Sequence, residues 1–378
     1  MYSVLTPLLP RLVDRFDLTK SVAGVLYSAY MVGSVAGALA AGPILTSVGR
    51  RRATRTALVV IAVTLVGFAS STSIEAALVF RFVGGIAGGL AWVATLTWLL
   101  GVGSSDKRGS LVGSVMSVSV FGTLIGPLIG SAAAGVGNLP VFALVAAVSL
   151  VCAVLLPADD ASPAALVAGP RAEGPGLLAL AGSTWILSLM AFTYGALFVL
   201  LPLRLDQTGM SEVAIGWLFA GSSALSALVT RAAGKATDKV GTFLLTSVSV
   251  VGGAGILLVL AIDGGLWFEA VTAVLATGVV YALGIAPNST AVSIDADRLG
   301  LPLHTTSMIL LLSFSGGESI GGIVTPIGAD LSSDAEALRM LAAVTLLSLG
   351  AVLVQRRRKS AVPPAAAPIS ASTGIESH

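Results

Sequence analysis

Two charged residues, Arg81 and Glu318, lie inside long apolar segments of the sequence. Glu318 occurs in the run Ser-Phe-Ser-Gly-Gly-Glu-Ser-Ile-Gly-Gly, about 13 residues, or ~20 Å of helix, into its segment. A carboxyl group at such a depth can bind and release a proton as its exposure to water changes. The alternative is a carboxyl group that bonds to the neighbouring serines and fixes the packing of its helix.

Arg81 allows two similar interpretations. It lies about five residues, or ~8 Å of helix, from the end of its segment. Its guanidinium group either reaches the polar headgroups beside that end, or faces a cavity. In a cavity it would bind an anion or perturb a carboxylate that carries a proton.

The composition identifies the class of protein that these residues belong to. Of the 378 residues, 55% are hydrophobic and 11% are charged, and the mean hydropathy is +0.96. Soluble domains carry about 25% charged residues. Apolar runs of about 20 residues, each long enough to cross a bilayer, recur along the whole chain. The sequence therefore predicts an all-α membrane protein.

The residue types argue against several other classes. The sequence has two histidines and one cysteine, and it contains no phosphate-binding loop and no Ser/His/Asp arrangement. Its basic residues are not interleaved with aromatic ones. We therefore expect no enzyme activity, no metal, no cofactor and no nucleic-acid partner. Four charges near segment ends are expected to be solvated loop residues: Arg204, Asp206, Asp263 and Glu269.

The apolar runs predict twelve spans in two sets of six. The spans are 1–12, 21–44, 56–71, 76–101, 111–135 and 140–157, then 177–203, 213–232, 242–262, 267–291, 305–328 and 337–355. Residues 1–157 and 177–355 would form two bundles, joined by a cytoplasmic linker at 158–176 and followed by a disordered cytoplasmic tail at 356–378. The first span is about half a membrane crossing, so we expect an incomplete first helix.

The basic residues predict the orientation in the membrane. Fifteen of the 21 lysines and arginines fall on one side when both termini are placed in the cytoplasm. Loops rich in lysine and arginine stay on the cytoplasmic side. We therefore expect a multi-pass protein of the inner or plasma membrane with both termini in the cytoplasm.

An internal repeat and a small-residue face complete the pattern. Residues 42–51 recur at 234–241, at an offset of 192 residues. In the fifth span, Gly122, Gly126 and Gly130 recur every four residues beside Pro127, which predicts a smooth helix face for a closely packed partner. We expect that partner to be the eleventh span, which carries a similar pattern at Gly317, Gly321 and Pro326.

At these residues the chain resembles the major facilitator superfamily over nearly its whole length. The loop after the second span matches the family's loop motif at Gly42, Gly49, Arg50 and Arg51, with Thr46 at the acidic position. The second copy keeps Gly234, Asp238, Lys239 and Gly241. Arg81 and Gly85 fit the family's fourth-helix pattern. The motif at Gly122, Gly126, Pro127 and Gly130 resembles that of the family's drug:proton antiporters.

The resemblance implies a fold and a function. It implies two six-helix bundles related by pseudo-two-fold symmetry, and proton-coupled efflux of small amphipathic compounds by alternating access. Glu318 would be the proton-coupling residue, the loop motifs would gate the cytoplasmic side, and the fifth helix would seal the path against proton leak. The path would be lined by helices 1, 4, 7 and 10, with these wall candidates: Arg81, Trp92, Trp98, Phe192, Tyr194 and Tyr281.

Two other functions remain open at this point. One is transport of a metabolite such as a sugar or an organic acid, and the other is a membrane sensor or assembly partner that does not transport. The expected partners are a small-molecule substrate, protons and the lipid bilayer, and the chain is expected to be a monomer.

Overall fold

The protein is a bundle of helices, seen in a computed structural model that describes residues 2–102, 122, 124–156, 176–301 and 303–361. Within these ranges there is no strand. The helices are α1 Leu9–Phe16, α2 Lys20–Val48, α3 Arg50–Ser70, α4 Ile74–Val102, α5 Leu124–Val136, α6 Asn138–Leu155, α7 Gly176–Gln207, α8 Glu212–Val240, α9 Thr242–Leu260, α10 Leu266–Arg298, α11 Leu303–Leu331 and α12 Asp334–Ala361.

Nine of the helices in the described ranges are long and apolar enough to cross a membrane. Helical backbone is what the bilayer requires, because each amide and carbonyl group must be bonded within the segment. The helix α10 contains one π-helical stretch, Leu275–Val280. The predicted linker at 158–176 lies outside the described residues except for Gly176, with which α7 begins.

The two ends of the chain depart from the prediction. Residues Tyr2–Val4 and Thr6–Leu8 form 3-10 turns, and α1 begins only at Leu9. The prediction of a helix at 1–12 is corrected because Pro7 and Pro10, which lack amide donors, each occupy the first turn of a new element. At the other end, α12 continues to Ala361 into the predicted tail, and residues 362–378 lie outside the described part.

The helix ends confirm the internal repeat. The helices α2 and α8 begin with the same cap, in which the side chain of Thr19 or Ser211 accepts a bond from a backbone amide three residues later. Both helices end at a glycine with φ near 80°, Gly49 and Gly241, a conformation that favours glycine. The members of each pair are 192 residues apart in the sequence.

The helices form two bundles, α1–α6 (the first half) and α7–α12 (the second half). In the first half α4 packs against α2 and α3, and α3 packs against α6. In the second half α7 packs against α10 and α11, while α9 packs against α12. Among the described residues, the most extensive contact between the halves is that of α2 against α11. The helices α5 and α8 form a second contact, where the Ser131 hydroxyl donates to the Val213 carbonyl oxygen at 3.0 Å.

The glycine face of α5 packs within its own half. A Cβ atom at Gly126 would overlap Ser3, and one at Gly130 would overlap the Val4 carbonyl oxygen and Pro7. Gly122, at the start of this face, is exposed. The prediction that this face packs on α11 is therefore wrong.

The corresponding glycines of α11 also pack within their own half. A Cβ atom at Gly317 would overlap the Ser188 carbonyl oxygen of α7, and one at Gly321 would overlap that of Phe192. Gly317 and Gly321 lie 191 residues after Gly126 and Gly130. The two patterns are alike because they occupy equivalent positions in the two copies of the repeat. The sequence alone does not distinguish such equivalent positions from helix faces that pack against each other.

The bundle is closed at the end where α2 begins, which we call the Lys20 end. The Lys20 ammonium group pairs with Asp334 of α12 at 2.5 Å, and Arg11 of α1 pairs with Glu212 of α8 at 3.0 Å. Asp330, near the last residue of α11, accepts bonds from the first turn of α2. All three contacts join the first half to the second.

The opposite end, which we call the Gly49 end, carries both copies of the loop motif. Among the residues that the structure describes, a Cβ atom placed on any of four glycines there would meet nothing within 4 Å: Gly42, Gly49, Gly234 and Gly241. Within the described part of the chain these four glycines therefore lack a packed neighbour, in contrast to the residues that join the halves at the Lys20 end.

Two charges expected in solvated loops are instead buried together. Arg204 is 5% exposed and Glu269 is 2% exposed, and they form an ion pair. Arg204 also donates to the Leu260 carbonyl oxygen at 2.6 Å, at the end of α9. The prediction was wrong for this pair. Arg204 lies beside the carboxyl end of α9 and beside the Glu269 carboxylate, so its hydrogen bonds are satisfied without water. Asp263 is 99% exposed on its side chain, as expected.

Candidate functional site

Glu318 lies at the contact between the two halves. Its side chain is fully buried, on the part of α11 that packs against both α2 and α7. A Cβ atom at Gly195 of α7 would overlap the Glu318 carbonyl oxygen, so the two backbones touch at this point. Only glycine allows helices to approach so closely. Glu318 is therefore held between three helices that come from both halves.

The partner of Glu318 is Tyr27 of α2. The Tyr27 hydroxyl donates a hydrogen bond to Glu318 Oε1 at 2.5 Å, and both side chains are 0% exposed. The other oxygen, Oε2, has no hydrogen-bond partner among the described residues. The close approach of the two helices depends on Gly24, where a Cβ atom would overlap the Gly322 carbonyl oxygen.

Sequence analysis missed Tyr27. The available signal was a tyrosine on the same helix face as Gly24, Ser28 and Met31, at spacings of three and four residues inside an apolar segment. Small residues at such spacings mark a helix contact, and a polar group among them needs a partner. The pattern does not say which distant helix supplies it.

Arg81 is connected to Glu318 through Tyr27. Its Nη2 donates to the Tyr27 backbone carbonyl oxygen at 3.3 Å, and the guanidinium group is 5.2 Å from the centre of the Tyr30 ring and 5.9 Å from that of Phe68. Arg81 is 7% exposed, so it does not extend to a headgroup region. The two intramembrane charges found in the sequence thus meet at one residue.

The cavity beside Arg81 is small and lies within the first half. It is about 30 Å³, against 300–1,000 Å³ for typical small-molecule sites. Its walls are Val4, Leu5, Tyr30, Ile61, Thr64, Leu65, Phe68, Phe80, Gly84 and Phe142. In this conformation it has room for a water molecule and not for a larger ligand.

Comparisons with known proteins agree with this architecture. The profile of the Major Facilitator Superfamily matches residues 1–326. The chain belongs to the Major Facilitator Superfamily. An uncharacterized MFS-type transporter of Yersinia enterocolitica is 26% identical over 357 residues, which is 92% of this chain and 90% of the relative. The MFS-type transporter YcaD of Salmonella newport is 26% identical over 257 residues, covering 66% and 65% of the two chains.

Solved transporters of the superfamily share the fold. A D-xylose-proton symporter superposes with a TM-score of 0.72 at 17% identity, covering 96% of this chain and 94% of the symporter. The human organic anion transporter MFSD10 gives 0.68 at 19% identity, covering 93% and 95%. The nucleoside transporter NupG gives 0.71 at 14% identity, covering 94% and 95%. At these identities the likeness shows the superfamily fold alone. Because the profile of the Major Facilitator Superfamily matches residues 1–326, the protein is a membrane transporter of this superfamily.

Among the other wall candidates, Tyr194 is the one that shares the surroundings of Glu318. It is buried beside Gly195, with its ring 4.3 Å from that of Phe198 and 6.1 Å from that of Phe314 on α11. Phe198 in turn lies 6.3 Å from the ring of Tyr27. A cluster of aromatic rings therefore lies beside the bond between the halves.

Trp92 and Tyr281 lie apart from this cluster. Tyr281, on α10, lines a second cavity of about 10 Å³ formed entirely by residues of the second half, including Met190 and Thr193. Trp92 is half-buried on α4, and its indole N–H has no hydrogen-bond partner among the described residues. The side chain of Trp98 lies outside the described part of the chain.

The superfamily loop motif differs in sequence between the two halves. Thr46, at the position that is acidic in the motif, donates to the carbonyl oxygens of Gly42 and Pro43 in its own helix. Arg51 donates to the Leu156 carbonyl oxygen at 3.0 Å, just after α6. The Thr46 bonds lie within α2, and the Arg51 bond joins α3 to the end of α6. In the second copy Lys239 is exposed, and the side chain of Asp238 is outside the described set.

Proposed function

We propose that this protein exports small amphipathic compounds in exchange for protons, by alternating access. The observation that carries the proposal is the buried bond from Tyr27 to Glu318 across the contact between the halves. In an alternating-access cycle the halves separate first at one end and then at the other. A carboxyl group placed between them is shielded in one state and reached by water in the other.

The charge distribution supports an orientation for this cycle. Fifteen of the 21 basic residues belong on the cytoplasmic side when both termini are cytoplasmic, in the inner or plasma membrane. The packed Lys20 end then faces outward and the Gly49 end faces the cytoplasm. The conformation described above would be the inward-facing state, in which substrate enters from the cytoplasm. A single chain contains both halves, so the transporting unit is a monomer.

Several residues have proposed supporting roles. Arg81, Trp92, Tyr194 and Tyr281 would contribute to the substrate path as the halves move, with Tyr194 nearest to Glu318. The face at Gly126, Pro127 and Gly130 would keep α5 tightly packed and seal the path against proton leak. The motif residues at the Gly49 end would gate the cytoplasmic side: Gly42, Gly49, Arg50, Arg51, Gly234, Asp238, Lys239 and Gly241.

Proteoliposomes with an imposed pH gradient test the proposal. The full chain should move an amphipathic dye against its gradient and move protons the opposite way. Glu318→Gln should abolish both gradient-driven movements while keeping exchange of dye at equal pH, which also shows that the variant is folded. Glu336→Gln removes an exposed carboxylate of α12 and should behave like the parent protein.

Other outcomes would point elsewhere. Gradient-driven transport that is unchanged in Glu318→Gln refutes the role of Glu318. Accumulation of one sugar or organic acid in cells, without dye export, would favour metabolite uptake. A protein that moves neither class of compound would favour a sensor or an assembly partner.

A further inference from the structure

We infer that the Tyr27 hydroxyl is a positioning group that makes proton binding at Glu318 depend on contact between the two halves. The inference rests on the proposed proton coupling and adds the residue through which that coupling acts. Tyr27 belongs to α2 and Glu318 to α11, so their bond exists only while these helices are packed together.

The approach of α2 to α11 places the bond in a dry contact. Both side chains are 0% exposed, and the helices touch where Gly24 meets the Gly322 backbone. The neighbouring hydroxyl of Ser28 is also fully buried and has no hydrogen-bond partner among the described residues. Water does not reach the bond in this state, so the Tyr27 hydroxyl takes the place of a solvating water molecule at Glu318 Oε1.

Tyr27 is fixed to the first half on its other side. Arg81 donates to its backbone carbonyl oxygen at 3.3 Å, and Arg81 is itself packed against the Tyr30 and Phe68 rings. The Tyr27 ring therefore moves with α2 and α4. When α11 moves away from α2, the hydroxyl cannot follow the Glu318 carboxyl group, and the bond breaks.

Among the described residues, few titratable and charged groups face Glu318 from the helices packed around it. They are Tyr27 on α2, Tyr194 on α7, and Arg81 on α4, which acts through Tyr27. Of these, Tyr27 is in direct contact with a carboxyl oxygen. Separation of α2 from α11 replaces this one donor by water, so the affinity of Glu318 for a proton differs between the packed and the separated state.

The replacement Tyr27→Phe tests the inference, because it removes the hydroxyl and keeps the ring. A hydrogen bond to a charged group corresponds to a shift of ~1 to 2 pH units in a titration. We expect the midpoint of the pH dependence of transport in proteoliposomes to shift by that amount in Tyr27→Phe. Tyr30→Phe, one turn further along α2, removes a hydroxyl that is not bonded to Glu318 and should keep the parent midpoint.

A midpoint that is the same in Tyr27→Phe and in the parent overturns the inference. The proposed function would still stand if Glu318→Gln abolished gradient-driven transport in the same preparation. Continued gradient-driven transport by Glu318→Gln would instead overturn the proposed function. The two failures are therefore distinguished by which variant keeps the parent behaviour.

A spectroscopic measurement covers the case in which Tyr27→Phe does not transport. The infrared carbonyl band of the Glu318 carboxyl group is assigned by its loss in Glu318→Gln. Removal of a hydrogen-bond donor changes the frequency of such a band, so we expect it to move in Tyr27→Phe and to stay in place in Tyr30→Phe. An unmoved band in Tyr27→Phe shows that the bond does not act on Glu318.

Discussion

The Asp330 carboxylate joins the halves at the Lys20 end, and its replacement should favour opening of that end. It accepts bonds from the Lys20 amide at 3.3 Å, the Ser21 amide at 2.7 Å and the Ser21 hydroxyl at 2.5 Å. Asp330 is next to the last residue of α11. A negative charge is disfavoured at the carboxyl end of its own helix and favoured at the amino end of α2. The favourable interaction exists only while the halves are in contact.

The structure gives the size of the expected effect. Asp330→Asn keeps an acceptor oxygen and removes the charge, while Asp330→Ala removes every acceptor. Loss of a capping side chain costs ~0.5–2 kcal/mol, and a charge at an exposed helix end contributes ~0.3–1 kcal/mol. Asp330 is exposed, so water competes with these bonds. We expect ~1 kcal/mol for Asp330→Asn and ~2 kcal/mol for Asp330→Ala, or factors of about 5 and 30 in the ratio of closed to open molecules.

Distances between paired spin labels measure this ratio. Thr72→Cys in the first half and Ser332→Cys in the second are exposed positions at the Lys20 end, in a Cys152→Ser background. Pulsed electron paramagnetic resonance should show a larger population with a long distance between the labels in Asp330→Asn than in the parent. That population should be larger still in Asp330→Ala. Glu336→Gln makes the same change of charge nearby and leaves the Asp330 bonds intact. Equal distance distributions in the control and in both Asp330 variants would refute the reasoning.

Two further predictions concern packing and stability. Gly126→Leu should abolish transport and leave expression intact, because leucine would displace Ser3 from α5. Gly135 is exposed, and a Cβ atom there would make only an ordinary contact with Val213 at 3.8 Å, so Gly135→Leu should transport normally. Transport assays on both variants check this, and equal activities would contradict it. Arg204→Met should destabilise the protein by ~3 kcal/mol, because it leaves Glu269 buried without its partner. The double variant with Glu269→Met should recover most of the loss in thermal unfolding, and a double variant as unstable as the single one would contradict the role of the ion pair.

The fold could be predicted from the sequence because each membrane span is specified locally. About 20 apolar residues in a row must form a helix in a bilayer, where nothing outside the segment can bond to its backbone. The internal repeat could also be predicted, because residues 42–51 recur at 234–241 in the sequence. The structure adds matching caps at the starts of α2 and α8. The boundaries were less accurate at the first span, where Pro7 and Pro10 divide an apolar run into short elements.

The candidate site could be predicted only in part. Glu318 and Arg81 stand out in the sequence because a charge in an apolar segment is costly and therefore informative. Their connection does not stand out, because it passes through an uncharged tyrosine and a backbone carbonyl oxygen. Similarity of pattern was also misleading, since the α5 and α11 glycines are alike as repeats and not as partners.

The sequence by itself determined that this chain is a helical membrane protein with two related halves and one deep carboxyl group. These properties depend on composition and on spacing within single segments. The tertiary structure decided which side chain bonds to that carboxyl group, which helix lies against α5, and that Arg204 and Glu269 are buried together. Tyr27 and Glu318 are 291 residues apart in the chain. They meet because small residues on α2, α7 and α11 let these backbones approach, which is a property of the assembled bundle and of no single helix.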